Sequence, residues 1–374
     1  MTGAKLHIVH TENSCGWGGQ EIRILTESAG MIARGHNVTI LCPFEARIYS
    51  EAQKRGIPVV ALPIARKNLT GLLALRRWLA QHRPDVVNTH SSTDSWLTLL
   101  ALLFSANTIP VVRTRHISAP VSQTLPNRWL YGRAIRQVVT TGEALRLDLI
   151  ERLRLPPDHA VSIPTGIDLT RYNRSSALPS AAARATFGIA PQARVVGIAA
   201  TLRSWKGHDY LLDAVALLYP DFPDLELLIV GDGPRREHLE TRIQALAPGL
   251  REKIHLVGHR DDVENALAAM DIFALPSYAN EGVPQALMQA MAMELPVVST
   301  AVGAIGELVD ETSGFLVAPK EAAPLAQALA RLLADAALRE KLGQGGKQTV
   351  EKRYSLERML DGMEAVFRLA IVRP

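Results

Sequence analysis

Short β-branched runs alternate with amphipathic stretches along this chain, and the alternation is played out twice. In the first half "KLHIVHT", "NVTILC", "VVNTH", "PVVRTR" and "QVVTT" read as strands, and in the second "RVVGIAA", "ELLIVG", "KIHLVG", "DIFALP" and "PVVST" do. Helical patterns lie between them. In "EIRILTESAGMIARG" the apolar positions Ile22, Leu25, Ala29, Ile32 and Ala33 recur at helical spacing, and Gly35 closes the run. Strands that alternate with helices form parallel sheets covered on both faces. The expected architecture is therefore α/β, with two Rossmann-like domains facing each other across a central cleft and a ligand held beyond the carboxyl ends of the strands.

The length agrees with a division in two, since 374 residues exceed one ordinary core and suit domains of about 150–200 residues each. The first domain is read as residues 1–168 and the second as 185–354. Between them "IPTGIDLTRYNRSSALPSAAARATFG" is rich in Pro, Ser and Ala without a strong strand signal, which puts a linker at 169–184. The C-terminal "YSLERMLDGMEAVFRLAIV" predicts a helix over about 355–374, a candidate for crossing back onto the first domain.

Composition narrows the function classes. The two cysteines, Cys15 and Cys42, are at no metal-ligand spacing, so no metal site and no disulfide framework is expected. The N-terminus runs straight into a strand without the long apolar region of a signal peptide. The longest apolar run, Trp96 to Phe104, is far short of the roughly 20 residues of a membrane span. A cytoplasmic protein follows, at most peripheral on the inner face of a membrane, and no nucleic-acid partner is expected. Charge is uneven. Residues 1–170 hold 19 Lys and Arg against 12 Asp and Glu, whereas the remainder hold 22 against 25. The basic half suits either an anionic partner or an ordinary solvated face.

Several strand ends carry residues suited to chemistry. In "CGWGGQE" Gly16, Gly18 and Gly19 stand where a loop enters a helix, so a ligand can approach the backbone and helix-terminal N–H groups can meet phosphate; a tight turn is the plainer reading, and the spacing is not that of a dinucleotide fingerprint. Arg203 and Lys206 follow "RVVGIAA" and suit a diphosphate, or are two solvated cations. "VGDGP" reads as a structural turn. His259 and Arg260, after "KIHLVG", can border a flat base. Glu281 stands before "GVPQALMQAMAM", where Gly282 lets the chain turn, Val283 follows and Pro284 fits the first helical turn; Glu281 either caps that helix or binds sugar hydroxyls while the helix end holds a phosphate. His90 and His116 each end a first-half strand, as structural residues or as part of a site.

Taken in order, "GIAATLRSWKGHDYLLDA", "LLIVGDGP", "VGHRDDV", "ALPSYANEGVPQALMQAMAMELPVVSTAVGAIGELV" and "SGFLV" resemble the retaining GT-B glycosyltransferases of family 4, over nearly the whole chain. The resemblance implies metal-independent, cofactor-free transfer of a sugar from a nucleotide-sugar donor with retention at the anomeric carbon. It implies that Gly18 and Gly19 approach the donor phosphate and acceptor, and that Arg203 and Lys206 hold the diphosphate. It implies further that Glu281 binds sugar hydroxyls and that the amides from Gly282 to Gln285 meet sugar and phosphate. His116 matches the family's active-site histidine, with His90 as its neighbour. Two positions depart from the family: Gln289 replaces a second carboxylate that binds ribose, and Glu294 replaces a glycine. A sugar-nucleotide epimerase of the same architecture and a non-catalytic carbohydrate- or membrane-binding relative are the alternatives.

The acceptor is expected in the basic first domain. One segment sets Arg66, Lys67, Arg76, Arg77 and Arg83 around Leu72, Leu73, Leu75, Trp78 and Leu79; another mixes Arg128, Arg133 and Arg136 with Trp129 and Tyr131. Such segments either rest on anionic lipid or pack on their own sheet. The first use would favour a glycan or lipid-linked acceptor, as in lipopolysaccharide or other cell-surface polysaccharide synthesis.

Overall fold

The computed structural model describes residues 4–103, 109–116, 119–279 and 281–372. They form two units, one running to Gly166 and resuming at Glu357, the other Ile167–Leu356.

In the first unit seven parallel strands are described: β1 (His7–Thr11), β2 (Asn37–Cys42), β3 (Val59–Ala61), β4 (Val86–Thr89), β5 (Val111–Arg115), β6 (Gln137–Thr140) and β7 (Ala160–Ser162), in the order β3-β2-β1-β4-β5-β6-β7. Helices α1 (Gly19–Ala33), α2 (Arg47–Lys54), α3 (Leu69–His82), α4 (Ser92–Leu102), α5 (Leu125–Trp129) and α6 (Glu143–Leu153) connect them. Both faces of the sheet are covered. Leu75, Trp78 and Leu79 of α3 pack on Val9, Leu41 and Val87 on one side, while Ile24 and Leu25 of α1 meet Ile40 on the other. Local chemistry starts the helices. The Asn68 side chain accepts the Gly71 N–H at 2.7 Å to cap α3, and Ser91 and Asp94 form a reciprocal capping box on α4.

The second unit repeats the plan with β8 (Arg194–Ala199), β9 (Leu225–Val230), β10 (Ile254–Gly258), β11 (Ile272–Leu275), β12 (Val297–Thr300) and β13 (Gly314–Val317), in the order β10-β9-β8-β11-β12-β13. Its helices are α7 (Ser180–Thr186), α8 (His208–Leu218), α9 (Arg236–Gln244), α10 (Pro248–Arg251), α11 (Val263–Ala268), α12 (Gln285–Ala292), α13 (Ala322–Ala334) and α14 (Ala336–Arg353). The final helix, α15 (Leu356–Val372), packs on α1, where Arg34 binds Glu357 at 2.5 Å and Asp361 at 2.8 Å. The last two residues of the expected 355–374 helix lie outside the described residues, as do Phe104 and Asn280.

Three strands go beyond the sequence reading. β3, β7 and β13 are three- or four-residue edge strands, too short to carry a periodic signal and steadied by one neighbour each. The stretch 169–184 packs as part of the second unit. Arg171 pairs with Glu264 at 2.8 Å and Arg184 with Asp271 at 2.8 Å, partners about ninety residues away that local composition does not reveal. No described helix is long and apolar enough to cross a membrane.

Candidate active site

Each sheet is wound outward from its middle and then restarts on the other side. The restart falls between β1 and β4 in the first unit and between β8 and β11 in the second. In an open parallel sheet the loops after the two flanking strands diverge at such a point and leave a crevice for ligand.

At the second unit's crevice, the loop after β8 carries Arg203 and a tight turn, Ser204–Lys206, and the loop after β11 carries Glu281. Lys206 Nζ donates to Glu281 Oε1 at 2.6 Å, and Glu281 is only 4% exposed. Two glycines hold this pair in register. Gly207, at φ +81°, passes so close to the end of β11 that a Cβ would lie 2.0 Å from the Pro276 carbonyl; at Gly303, φ +62°, a Cβ would lie 2.0 Å from the Glu281 carbonyl. Arg203 is exposed and extends over the Trp205 ring at 5.2 Å.

Directly after Glu281 the chain enters α12. Pro284 is its N-cap rather than its first helical residue and has no side-chain acceptor with which to cap it, and the first turn of α12 suits an anion. Gly282 and Val283 are buried beneath that end. Gln285 and Gln289, four apart, share one face of the helix. The fold thus brings Arg203, Lys206, Glu281 and the start of α12 to adjacent strand ends. His259 and Arg260 stand apart, after edge strand β10. His259 Nε2 lies 3.2 Å from Asp261, and Arg260 makes two 2.8 Å bonds to Asp262 and covers the Phe187 ring at 5.4 Å.

In the first unit α1 starts at Gly19, with Gly18 as an extended N-cap. A Cβ at Gly18 would touch nothing closer than Glu21 Oε2 at 3.8 Å, so the fold itself does not demand glycine there. Beyond β4 and β5 lies a cavity of ≈ 360 Å³, bordered by Gln20, His90, Arg113, Arg115, His116 and Tyr131 among others. None of the described residues lining it is acidic. Arg113 Nε donates to the Tyr131 hydroxyl at 2.9 Å and Arg115 Nη1 to the same oxygen at 3.0 Å, which fixes both guanidiniums and holds the phenol below its ordinary value against the cost of burial.

A row of imidazoles runs inward from the cavity wall. His116 Nε2 lies 2.9 Å from His90 Nδ1, and His90 Nε2 lies 3.0 Å from His10 Nδ1. Burial, and then neighbouring positive charge, keeps all three neutral: His10 is pushed down to about 3, and His90 and His116 fall well below the usual histidine range. Asp94 organises this region. Its carboxylate accepts the His90 N–H at 2.8 Å and the Thr11 hydroxyl at 2.9 Å, tying the ends of β4 and β1 together. Burial, reinforced by Asp94, drives nearby Glu12 up to about 8.

Residues 17–171 match the model of Glycosyltransferase Family 4 and residues 193–335 that of the Glycosyl transferases group 1. A D-inositol 3-phosphate glycosyltransferase of Saccharomonospora viridis is 30% identical over 305 residues, covering 79% of this chain and 67% of that protein. The chain is a family 4 glycosyltransferase. The phosphatidyl-myo-inositol mannosyltransferase of Mycobacterium leprae is 29% identical over 347 residues, 90% of this chain and 89% of its own. Among solved structures, a glycosyltransferase from Rickettsia africae superposes with a TM-score of 0.89 at 21% identity, over 99% of this chain and 100% of that one. Anabaena HepE, in complex with UDP-glucose, does so with a TM-score of 0.83 at 23% identity, over 97% and 99%. The fold of this glycosyltransferase is GT-B.

Sequence reasoning did not single out several residues that build these two candidate sites. Gly207 and Gly303 were legible only as glycines near strand ends, and the carbonyls they approach belong to residues far along the chain. His10, Arg113 and Arg115 fall inside strands, where polar side chains in an apolar run were the available signal, and Asp94 falls in the first turn of α4, where a Ser-x-x-Asp capping pattern was. Glu294, in place of the family's glycine, keeps a left-handed backbone at φ +60° and pairs with Lys347 at 2.7 Å. Of the two basic segments, the first buries Leu75, Trp78 and Leu79 and leaves Leu73 56% exposed, while the second buries Tyr131 and leaves Trp129 39% exposed; Leu125, just before the second, is 79% exposed.

Proposed function

We propose that this glycosyltransferase moves a sugar from a nucleotide-diphosphate donor to a lipid-linked, anionic acceptor, with retention of anomeric configuration and without a divalent metal. The observation that carries the reading is the Lys206–Glu281 pair beside the start of α12. Arg203, Lys206 and the α12 amides meet the diphosphate and stabilise the charge that develops on it as the glycosidic bond breaks, the part a divalent ion would otherwise play. Glu281, released from Lys206 by the phosphate, accepts hydrogen bonds from sugar hydroxyls. Gly18 and Gly19 admit the donor phosphate to the start of α1. Gln289 stands where the family's ribose-binding carboxylate would be, and His259 and Arg260 border the base. UDP-glucose in Anabaena HepE is consistent with a donor of this class.

His116 borders the first-unit cavity, which takes the acceptor. Two guanidiniums without a lining carboxylate favour an acceptor bearing phosphate, in keeping with the inositol phosphate and phosphatidylinositol named for the relatives. Exposed Leu125 and Trp129 next to Arg128 would set the cavity against an anionic lipid surface on the inner face of the membrane, where a glycolipid or a lipid-linked precursor of cell-surface polysaccharide is presented.

The test is a screen of UDP-, GDP- and TDP-sugars against inositol phosphate, phosphatidylinositol vesicles, a lipid-linked glycan and an uncharged polyol, in the presence of EDTA. The expected product is a glycoside of the anionic or lipid-linked acceptors with the donor's anomeric configuration. An inverted product, a requirement for added metal, or an isomerised nucleotide sugar without transfer would overturn the reading.

A further inference from the structure

The row of three imidazoles leads away from the cavity to an acid that the transfer chemistry above does not use. Glu27 of α1 is fully buried, with Oε1 3.8 Å from His10 Nε2 and Oε2 3.6 Å from Arg23 Nε. Arg23 is itself anchored, donating to the Ile163 carbonyl at 2.7 Å. The His10 Nε2, Arg23 Nε and both Glu27 oxygens have no hydrogen-bond partner among the described residues. Phe367 of α15 covers this end, edge-on to His10 at 6.3 Å. Buried ionisable groups left unsatisfied cost stability, and a fold that keeps them invites a functional account.

A neutral imidazole has one N–H and one lone pair, so two ring-to-ring bonds allow two arrangements. In one, His116 Nε2–H donates to His90, His90 Nε2–H donates to His10, and His10 Nε2–H faces an ionised Glu27; His116 Nδ1 then bears a lone pair. In the other, every proton sits on Nδ1, and His10 Nε2 faces a protonated Glu27. Converting the first into the second takes in one proton at His116 and delivers one to Glu27.

We propose that His116, His90 and His10 form a proton wire that carries the acceptor's hydroxyl proton from the cavity to Glu27. This rests on the transfer reaction proposed above. The acceptor O–H bond breaks, and its electron pair bonds to the anomeric carbon. The bond from that carbon to the diphosphate oxygen breaks, and the diphosphate leaves with the pair. The proton enters at His116 Nδ1, the Nε2 protons of His116, His90 and His10 each move one place, and the last one neutralises the Glu27 carboxylate. After product release the shift runs backward and returns the proton to solvent.

A concerted shift suits this interior better than a single histidine base. Burial and the guanidiniums of Arg23, Arg113 and Arg115 disfavour an imidazolium at any position, and the wire never forms one. Glu27 is the group able to end it, raised by burial to about 7 while Arg23 pulls it down. The other charged or titratable groups around the row are Glu12 beyond β1, Asp94 of α4, and Arg113 and Arg115 of β5; α15 contributes Met363 and Phe367. The 3.8 Å link closes with a shift of about 1 Å, within ordinary side-chain motion.

His116 is the catalytic residue here; His90, His10 and Glu27 are positioning residues, so the test reads pH dependence rather than stability alone. Nitrogen-15 spectra of histidine-labelled protein should show the three rings exchanging tautomer together, with one midpoint near neutrality. Glu27→Gln, which keeps the shape but cannot accept a proton, should lock the tautomers and lower kcat about tenfold or more. It should also remove the fall in kcat below pH 7, with donor affinity by calorimetry unchanged. Rings that titrate independently, or a Glu27→Gln enzyme with normal kcat and an unaltered acid limb, would overturn the wire. Should that variant not fold, or no acceptor be turned over, the tautomer titration of the unaltered chain still decides, because it needs neither. Failure of the transfer reading would appear instead as absence of donor turnover.

Discussion

The two crevices come from the same winding rule yet hold their charges in opposite ways. At β8 and β11 the cations reach outward: Arg203 is exposed, and Lys206 meets Glu281 at the rim. At β1 and β4 the ionisable groups are sunk, with His10, Glu12, Glu27 and Asp94 all fully buried. A topological switch point supplies a place for ligand, and the residues at its strand ends decide what the place does. A rim that carries cations suits a diphosphate whose charge grows as its bond breaks. An interior of neutral imidazoles suits moving a proton without separating charge.

The largest expected effect tests the outward-facing half. Arg203→Ala and Lys206→Ala should each lower turnover by about 100-fold. Arg203→Ala should leave the melting temperature unchanged, because its side chain is exposed, whereas Lys206→Ala should lower it by stranding the buried Glu281 carboxylate. Steady-state kinetics with thermal melts check both, and near-normal turnover in the two variants would remove the diphosphate from this crevice.

The inward-facing half should reveal itself through pH. Glu12 and Glu27 are raised from 4.5 to about 8 and about 7, so the folded chain keeps protons that the unfolded chain has lost. Their contribution is therefore present below about pH 4.5 and lost as pH rises toward 7–8. His10 and His208, lowered from 6.5 to about 3 and about 4, act in the other direction, and stability falls as pH drops below 6.5. Glu12→Gln should accordingly recover about 2 kcal/mol at pH 8.5 relative to pH 5 in denaturant titrations. An equal effect at both pH values would mean that Glu12 is not held protonated.

The smallest effect sharpens the second unit again. Gln289→Glu restores a charged acceptor on the α12 face shared with Gln285 and should tighten nucleotide binding about fivefold, near 1 kcal/mol. Calorimetry showing no gain would separate Gln289 from the ribose.

Much of the outward-facing site was legible in the sequence because its parts are local. Arg203 and Lys206 stand three apart, and Glu281 runs directly into Gly282, Pro284 and α12, so spacing alone carries their relation to strand end and helix start. The inward-facing site resisted such reading. His10, Glu27, His90 and His116 come from two strand ends, a strand and a helix, and their ring-to-ring bonds span 80 and 26 residues. His90 and His116 were visible as strand-end histidines, but their partners were not.

By itself, the order of residues determined the α/β alternation, its doubling into two units, and which loops leave carboxyl strand ends, because period and turn chemistry act within a few neighbours. Only the tertiary structure decided that Gly303 presses on Glu281, that Lys206 reaches that carboxylate, and that three imidazoles align toward Glu27. Those relations depend on strand order and packing, which join residues that no local pattern connects.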